Sequence, residues 1–126
     1  MNRVLHIIEK EIYKSTVQNN NTIVEFICRD SERDIYIDGG AYKETKYDFI
    51  FLVNTGDWFN KTIRFDIAIN TYDNNIVVRK GYGYDYKEYS KAKFKDIVKY
   101  INEEVIKFSL QDLGNINKNI KKQKVV

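Results

Sequence analysis

The fold is decided by residues 61–71, which read KTIRFDIAINT. Large apolar residues occupy every second position from Ile63 to Ile69, and polar or small residues fill the positions between them. Side chains of a strand point alternately to its two faces, so this segment has one apolar face and one polar face. It predicts a half-buried strand of an antiparallel sheet.

The segments on either side predict more strands and two helices. Strands are expected at residues 22–29, 34–37, 47–53 and 76–86, with turns at 30–32, 38–40 and 74–75. Residues 47–53 are apolar on both faces, which is typical of a central strand covered on both sides. Helical spacing predicts a helix at 3–18 and another after Ser90, its N-cap. We therefore predict an α+β fold in which an N-terminal and a C-terminal helix flank an antiparallel meander of about five strands.

Residues 1–113 are expected to form a single α+β domain, and residues 114–126 a lysine-rich C-terminal tail that begins at Gly114. The tail contains four lysines and no acidic residue, whereas the other residues include 17 basic and 18 acidic ones. Proteins that bind nucleic acid usually carry clustered positive charge on the folded surface. Nucleic-acid contact is therefore expected only through the C-terminal lysines.

The scarcity of cysteine and histidine excludes several kinds of site. Cys28 is the single cysteine and His6 the single histidine, so an internal disulfide and a zinc site with several Cys or His ligands are excluded. No catalytic or nucleotide-binding motif stands out, and we expect no enzyme activity, cofactor or metal. The charged N-terminus and the lack of a long apolar run predict neither a signal peptide nor a membrane span. A cytoplasmic protein is the resulting expectation.

A tyrosine-rich segment is the most direct pointer to a partner. Residues 81–90 read GYGYDYKEYS and contain four of the ten tyrosines. Tyrosine suits binding surfaces because it joins a broad apolar body to a polar tip. A two-residue hairpin turn at 74–75 would set Tyr82 and Tyr84 beside the apolar positions of 61–71, and Asp85 opposite Arg64. In that register Tyr82 and Tyr84 line the core.

Three residues farther along the same segment are the better surface candidates. Tyr86 and Tyr89 lie near the predicted end of the strand, with Glu88 between them. We expect these three side chains to contact a partner protein. The opposite face of this hairpin, around Ala68, is poor in side chains. Either a helix or a partner is expected to cover it.

The loop after residue 53 supplies a second candidate contact, at Asp57, Trp58 and Phe59. Exposed Trp side chains are frequent anchors at interfaces. Two interpretations stay open, because Trp58 could equally fold back over the end of the core. The acidic segment 30–48 also has two interpretations. Its charges either protect an edge strand from aggregation or dock on a basic groove.

These observations favour a non-enzymatic protein-binding protein. Ile, Lys, Asn and Tyr supply 56 of the 126 residues, a bias expected of an AT-rich genome such as that of a low-GC bacterium or its phages. The leading hypothesis is a phage- or mobile-element-encoded inhibitor that occludes the surface of a larger host defence protein, as anti-CRISPR proteins do. The alternatives are a virion or assembly component of the connector or tail-completion type, which would form a homo-oligomer, and a nucleic-acid-associated protein that uses the basic tail.

Overall fold

The computed structural model describes residues 3–54, 60–73, 75–81, 86–90 and 93–124, with the side chains of α2 described as far as Ser109. The elements are, in order, α1 (Arg3–Ile12), a π-helical turn (Tyr13–Val17), β1 (Ile23–Ile37), β2 (Gly40–Val53), β3 (Lys61–Asn70), β4 (Asn75–Lys80), β5 (Tyr86–Ser90) and α2 (Phe94–Lys124). The strands form one sheet in the order β1-β2-β3-β4-β5, and each pairs antiparallel with the next. The predicted α+β fold, with five antiparallel strands and a helix at each end, is confirmed.

Both helices pack on the same face of the sheet. Each contributes a buried stripe at helical spacing, from Leu5 to Ile12 in α1 and from Ile97 to Val105 in α2. These stripes form one core with alternate residues of the three middle strands: Tyr47, Phe49, Phe51, Val53, Ile63, Phe65, Ile67, Ile69, Ile76 and Val78. Opposed residues of paired strands share a face, and the observed pairing puts all of these strand residues on one face. We call this the helix face and the opposite one the open face.

The expectation that residues 47–53 are covered on both sides is wrong. Phe49 and Phe51 are fully buried on the helix face, but Ile50 and Leu52 on the open face remain partly exposed. Apolar residues on both faces of a strand therefore do not require a second layer. Neighbouring side chains on the open face shield these two residues enough to tolerate them there.

β1 runs through the predicted turn at residues 30–32. Asp30 and Ser31 are residue types that favour turns, but the segment has no Gly, Pro or Asn, and it continues the strand. Ion pairs of the next two residues join the strand to β2. Arg33 Nε donates to Glu44 Oε1 at 2.7 Å, and Lys43 Nζ lies 2.6 Å from Asp34 Oδ1. The strand consequently continues for 15 residues, to Ile37.

The predicted turn at 38–40 is confirmed and creates a projecting arm. Ile37 pairs with Gly40 across a two-residue loop in which Asp38 and Gly39 have φ values of 49° and 80°. Positive φ at both positions is the requirement of a type I′ hairpin. The pairing of β2 with β3 begins only at Glu44. Residues 34–43 therefore extend beyond β3 as a two-stranded arm.

The predicted strand 76–86 is in fact two strands, and the predicted register is wrong. Ile67 pairs with Val78 and Ile69 with Ile76, four residues away from the expected partners. The loop before β4 is longer than two residues because side chains cap it. Asn70 Oδ1 accepts hydrogen bonds from the amides of Tyr72 and Asp73 at 2.9 Å, and Asp73 Oδ1 accepts one from Asn75. Such side-chain turns are typical of Asn and Asp.

The boundaries of the helices differ from the sequence expectation at three points. The predicted first helix is present, but its last turn is π-helical, with the Gln18 amide bonded to the Tyr13 carbonyl at 3.0 Å. Ser90 ends β5 and is not the N-cap of α2, which begins at Phe94. The backbone of α2 continues as a helix through Gly114 to Lys124. The division into a domain and a tail at residue 114 stays a prediction.

Candidate binding surface

The open face carries no helix in the described part of the chain. Strand pairing arranges its side chains in rows that cross the sheet. One row runs Arg29, Asp48, Asp66, Arg79 and Tyr86, from β1 to β5. The adjacent row runs Ser31, Lys46, Ala68, Val77 and Glu88.

A network of four charged residues occupies the middle of this face. Asp48 and Asp66 are directly opposed on β2 and β3. Arg64 lies between them, with Nη2 3.0 Å from Asp48 Oδ2 and Nε 3.4 Å from Asp66 Oδ1. Lys46 Nζ lies 3.7 Å from a carboxylate oxygen of each aspartate. Two cations thus offset the repulsion of two like charges that would otherwise destabilise the pair.

The two aspartates have opposite pKa shifts. Burial, followed by a hydrogen bond to Asp48 and the charge of Asp48, raises the pKa of Asp66 above its ordinary value. Burial alone would also raise the pKa of Asp48, but hydrogen bonds to Asp66 and Arg64 and the charges of Lys46 and Arg64 outweigh it and lower that pKa. Asp66 is therefore the first of the pair to take up a proton, and it then donates a hydrogen bond to Asp48.

Beside this network the open face has a hollow of about 280 Å³. Its residues come from four strands, and the small side chain of Ala68 lies between Lys46 and Val77. The hollow is lined by Ser31, Arg33, Glu44, Lys46, Asp66, Ala68, Asn70, Val77 and Arg79. Of the two coverings expected around Ala68, the helix is excluded, because both helices pack on the other face. A partner remains as a prediction.

Two of the predicted contact residues lie on the open face. Tyr86 is 59% exposed and is paired with Arg79, at the β5 end of its row. Glu88 is exposed and is paired with Val77. The earlier register expected Tyr86 on the side of the apolar positions of β3. In the structure β4 ends at Lys80, Gly81 has a φ of 68°, and Tyr86 begins a separate strand whose pairing puts it on the other side.

Tyr89 lies on the helix face. It pairs with the buried Ile76 and packs against the core. Burial, together with the charge of Asp96, raises its pKa. Next to it, Lys87 places its Nζ 4.2 Å from the centre of the Tyr100 ring, a cation–π contact that joins β5 to α2. Tyr89 was predicted to contact a partner, but its side chain is partly buried against the core of its own chain.

The remaining sequence-based candidates lie outside the described residues. These are Asp57, Trp58 and Phe59 in the loop after β2, and Tyr82, Tyr84 and Asp85 between β4 and β5. Whether Trp58 anchors a partner and whether Tyr82 and Tyr84 line the core stay predictions. The predicted pair of Arg64 with Asp85 belongs to the incorrect register. Arg64 contacts Asp48 and Asp66.

Sequence reasoning missed the charged network and the hollow. The polar positions of β3 were interpreted as the polar face of a half-buried strand, and no register between β2 and β3 was predicted that would bring their charges together. The alternation of charges within β2 and β3 was the available signal. Lys46, Asp48, Arg64 and Asp66 occupy every second position of their strands, so pairing in register must bring them together.

The acidic segment 30–48 forms the outer hairpin of the sheet. Asp34 is ion-paired with Lys43, and Glu44 with Arg33, so both charges connect the two strands of the arm. Tyr36, at the end of the arm, is 78% exposed. Asp30 and Asp34 are exposed along the outermost strand. This placement fits both earlier interpretations, the protection of an edge and the contact with a basic partner.

Comparisons with known proteins found no relatives. No protein-family model, no curated protein and no solved structure matches this chain. Among the described residues, no group of three or more His, Cys, Asp and Glu side chains is placed to hold a metal ion. In that same part of the chain, no helix combines the length and the apolar character needed to cross a membrane.

Proposed function

We propose that this protein is a non-enzymatic binding protein that attaches to a larger protein through the open face of its sheet. We further propose that it is encoded by a phage or mobile element and inhibits a host defence protein by covering part of its surface. The observation that carries the proposal is that the helices cover only one face of the sheet. The other face spans five strands, and none of the described helices lies on it.

The chemistry of the open face suits a protein partner. It combines an exposed aromatic residue, Tyr86, with charges held in place by neighbouring strands and a hollow around Ala68. Interfaces concentrate affinity in aromatic and Arg side chains that are surrounded by polar groups. Tyr86 and Arg79 are directly opposed on β5 and β4. They form the pair on which we expect most of the affinity to depend.

The charge of the open face argues against nucleic acid as its partner. By strand pairing it carries five cations (Arg29, Arg33, Lys46, Arg64, Arg79) and five anions (Glu25, Glu44, Asp48, Asp66, Glu88). The two signs are mixed across the rows and cancel in number. A phosphate-binding surface would need an excess of cations, with affinity that falls steeply as salt rises. A mixed surface of this kind instead gives a protein partner specificity and register.

Affinity purification with matched variants tests the proposal. The immobilised chain is incubated with extract of a low-GC bacterial host, and the captured proteins are quantified by mass spectrometry. The open-face variant Arg79→Glu/Tyr86→Ala should lose a captured partner. The control variant Lys99→Glu/Ile106→Ala makes the same kinds of change at exposed positions of α2 and should retain it. With the purified partner, the open-face variant should bind at least about ten-fold more weakly.

Two results would contradict the proposal. One is equal capture by both variants, provided that circular dichroism shows both to be folded. The other is the absence of any stable partner. The inhibitory role has a separate readout, because expression of the wild-type chain should let a restricted phage form plaques on a host with an active defence system. The open-face variant should not restore plaques.

A further inference from the structure

The outer edge of β1 is an unpaired strand edge in the described structure. β1 is 15 residues long and pairs on one side only, with β2. Such an edge presents a row of backbone N–H and C=O groups that can pair with another strand. Natural proteins usually protect long edges with charges, bulges or covering segments.

Charges protect only one half of this edge. Residues 29–34 include five charged residues among six, whereas residues 23–28 include one, Glu25. Exposed apolar groups lie beside this less charged half. Val24 is 56% exposed at an irregularity of the pairing, and Tyr13, 49% exposed, has its ring centre 6.4 Å from that of Phe26. The half of β1 without charge protection is thus also bordered by apolar surface.

We propose that this half of β1 pairs antiparallel with β1 of a second copy of the chain, around a two-fold axis at Ile27. A two-fold axis perpendicular to the sheet opposes residues at equal distances from the axis. Glu25 then faces Arg29 of the second copy, and Arg29 faces its Glu25. On the helix face Phe26 meets Cys28 of the second copy. The polar pair Glu25–Arg29 and the apolar pair Phe26–Cys28 therefore match, whereas Val24, at the irregularity of the pairing, faces Asp30.

Two other axes along the strand match less well. An axis at Ser31 opposes Arg29 to Arg33 and Asp30 to Glu32, which are like charges. An axis at Cys28 opposes Phe26 to Asp30. Like charges directly opposite each other destabilise a strand pair, and opposite charges stabilise it. Among the described residues of their own chain, neither Glu25 nor Arg29 forms an ion pair, and this pairing would give each an oppositely charged partner.

The dimer would join two sheets into one of ten strands, with a single open face of twice the area. It does not depend on the proposed inhibitory function, since β1 is at the opposite end of the sheet from Tyr86 and Arg79. Failure of the dimer would leave the binding test unchanged, and loss of partner capture would leave the dimer unchanged.

Charge reversal tests the dimer and its register together. Sedimentation velocity of the wild-type chain should show a dimer at tens of micromolar. Glu25→Arg and Arg29→Glu should each raise the dimer dissociation constant by about ten-fold or more, because each places like charges opposite each other twice. The double variant Glu25→Arg/Arg29→Glu should restore the dimer. The control Glu88→Arg, on the distant edge strand β5, should leave it unchanged.

Disulfide formation gives a second readout that does not depend on charge. Directly opposed residues of antiparallel strands have Cα atoms about 4.5–5.5 Å apart, within the reach of a disulfide. In a Cys28→Ser background, Ile27→Cys should form a cross-linked dimer on oxidation, and Ser31→Cys, on the same strand and face, should not. A monomeric wild-type chain, a double charge variant that does not recover, or preferential cross-linking at residue 31 would overturn the proposal.

Discussion

At the scale of single residues, the pair Asp48 and Asp66 shows how the open face holds two like charges next to each other. Two carboxylates face each other on neighbouring strands, with side chains that are 19% and 16% exposed. The arrangement persists because Arg64 and Lys46 lie against both. The raised pKa of Asp66 means that the folded chain binds this proton more tightly than the unfolded chain does.

Replacement of these two carboxyls should therefore have unequal effects. Asn at position 66 resembles the protonated carboxyl, so Asp66→Asn should be as stable as the wild type at pH 7, or up to about 1 kcal/mol more stable. Asp48→Asn removes the negative charge that Arg64 and Lys46 contact and should cost about 1 kcal/mol. Urea unfolding at pH 7 measures both values. A larger loss in the Asp66 variant than in the Asp48 variant would contradict this interpretation.

The same pair predicts a dependence on pH with a definite sign. As pH falls from 7 through the raised pKa of Asp66, the folded state takes up a proton that the unfolded state does not yet bind, and the wild type gains stability. The difference in free energy of unfolding between wild type and Asp66→Asn should therefore shift in favour of the wild type as the pH falls from 7 toward the ordinary range of an aspartate. Below that range, protonation of Asp48, whose pKa is lowered, removes its contribution. A difference that is constant with pH would contradict the shift.

At the scale of elements, the described helices cover one face of the sheet. The difference between the two faces can be measured by replacing one isoleucine on each. Ile67 is fully buried on the helix face of β3, and Ile50 is partly exposed on the open face of β2. Ile67→Ala should cost about 2–5 kcal/mol, because it leaves a cavity in the core. Ile50→Ala should cost less than about 2 kcal/mol, since less apolar area is buried there. Equal losses in urea unfolding would show that the open face is covered in solution.

The elements also show how far sequence patterns reach. The alternation of β3 and the helical spacing of α2 predicted the correct type of element, because each has one strongly apolar side. The break between β4 and β5 and the four-residue shift of register were missed. Hydrogen bonds that the side chains of Asn70 and Asp73 accept from backbone amides determine the length of that loop, and an Asn-Asn pair alone suggested a shorter one. Tyr86 consequently changed faces.

The charged network could have been found from the sequence only with the correct pairing. Each strand alone shows alternating charges, and their meeting depends on which residue opposes which. Tyr86 was expected at the surface because it lies near the predicted end of a strand. It is exposed because the pairing of β5 with β4 puts it on the open face. A register shift of an even number of residues leaves the side chains of β4 on the faces expected for them. A new turn, in contrast, can move the side chains of the following strand to the opposite faces. Predictions of contact residues are therefore weakest next to unrecognised turns.

At the scale of the whole molecule, the described core ends well before the C-terminus. Ile101, Val105 and the half-buried Phe108 anchor α2, and the Ser109 hydroxyl contacts Thr22 Oγ1 at 3.0 Å. Ser109 also donates to the Val105 carbonyl, so this turn of α2 is fastened to the segment before β1. All of these contacts lie within the predicted domain, which ends at residue 113.

A chain that ends at residue 113 should therefore fold like the full chain. We expect its free energy of unfolding to lie within about 0.5 kcal/mol of that of the full chain, because changes outside buried features usually have effects of that size. Helical circular dichroism should fall, since the backbone of α2 continues to Lys124. A matched chain that ends at residue 103 lacks Val105, Phe108 and Ser109 and should lose cooperative unfolding. If the chain ending at 113 unfolds at a markedly lower urea concentration, residues 114–126 belong to the domain and the predicted tail is wrong.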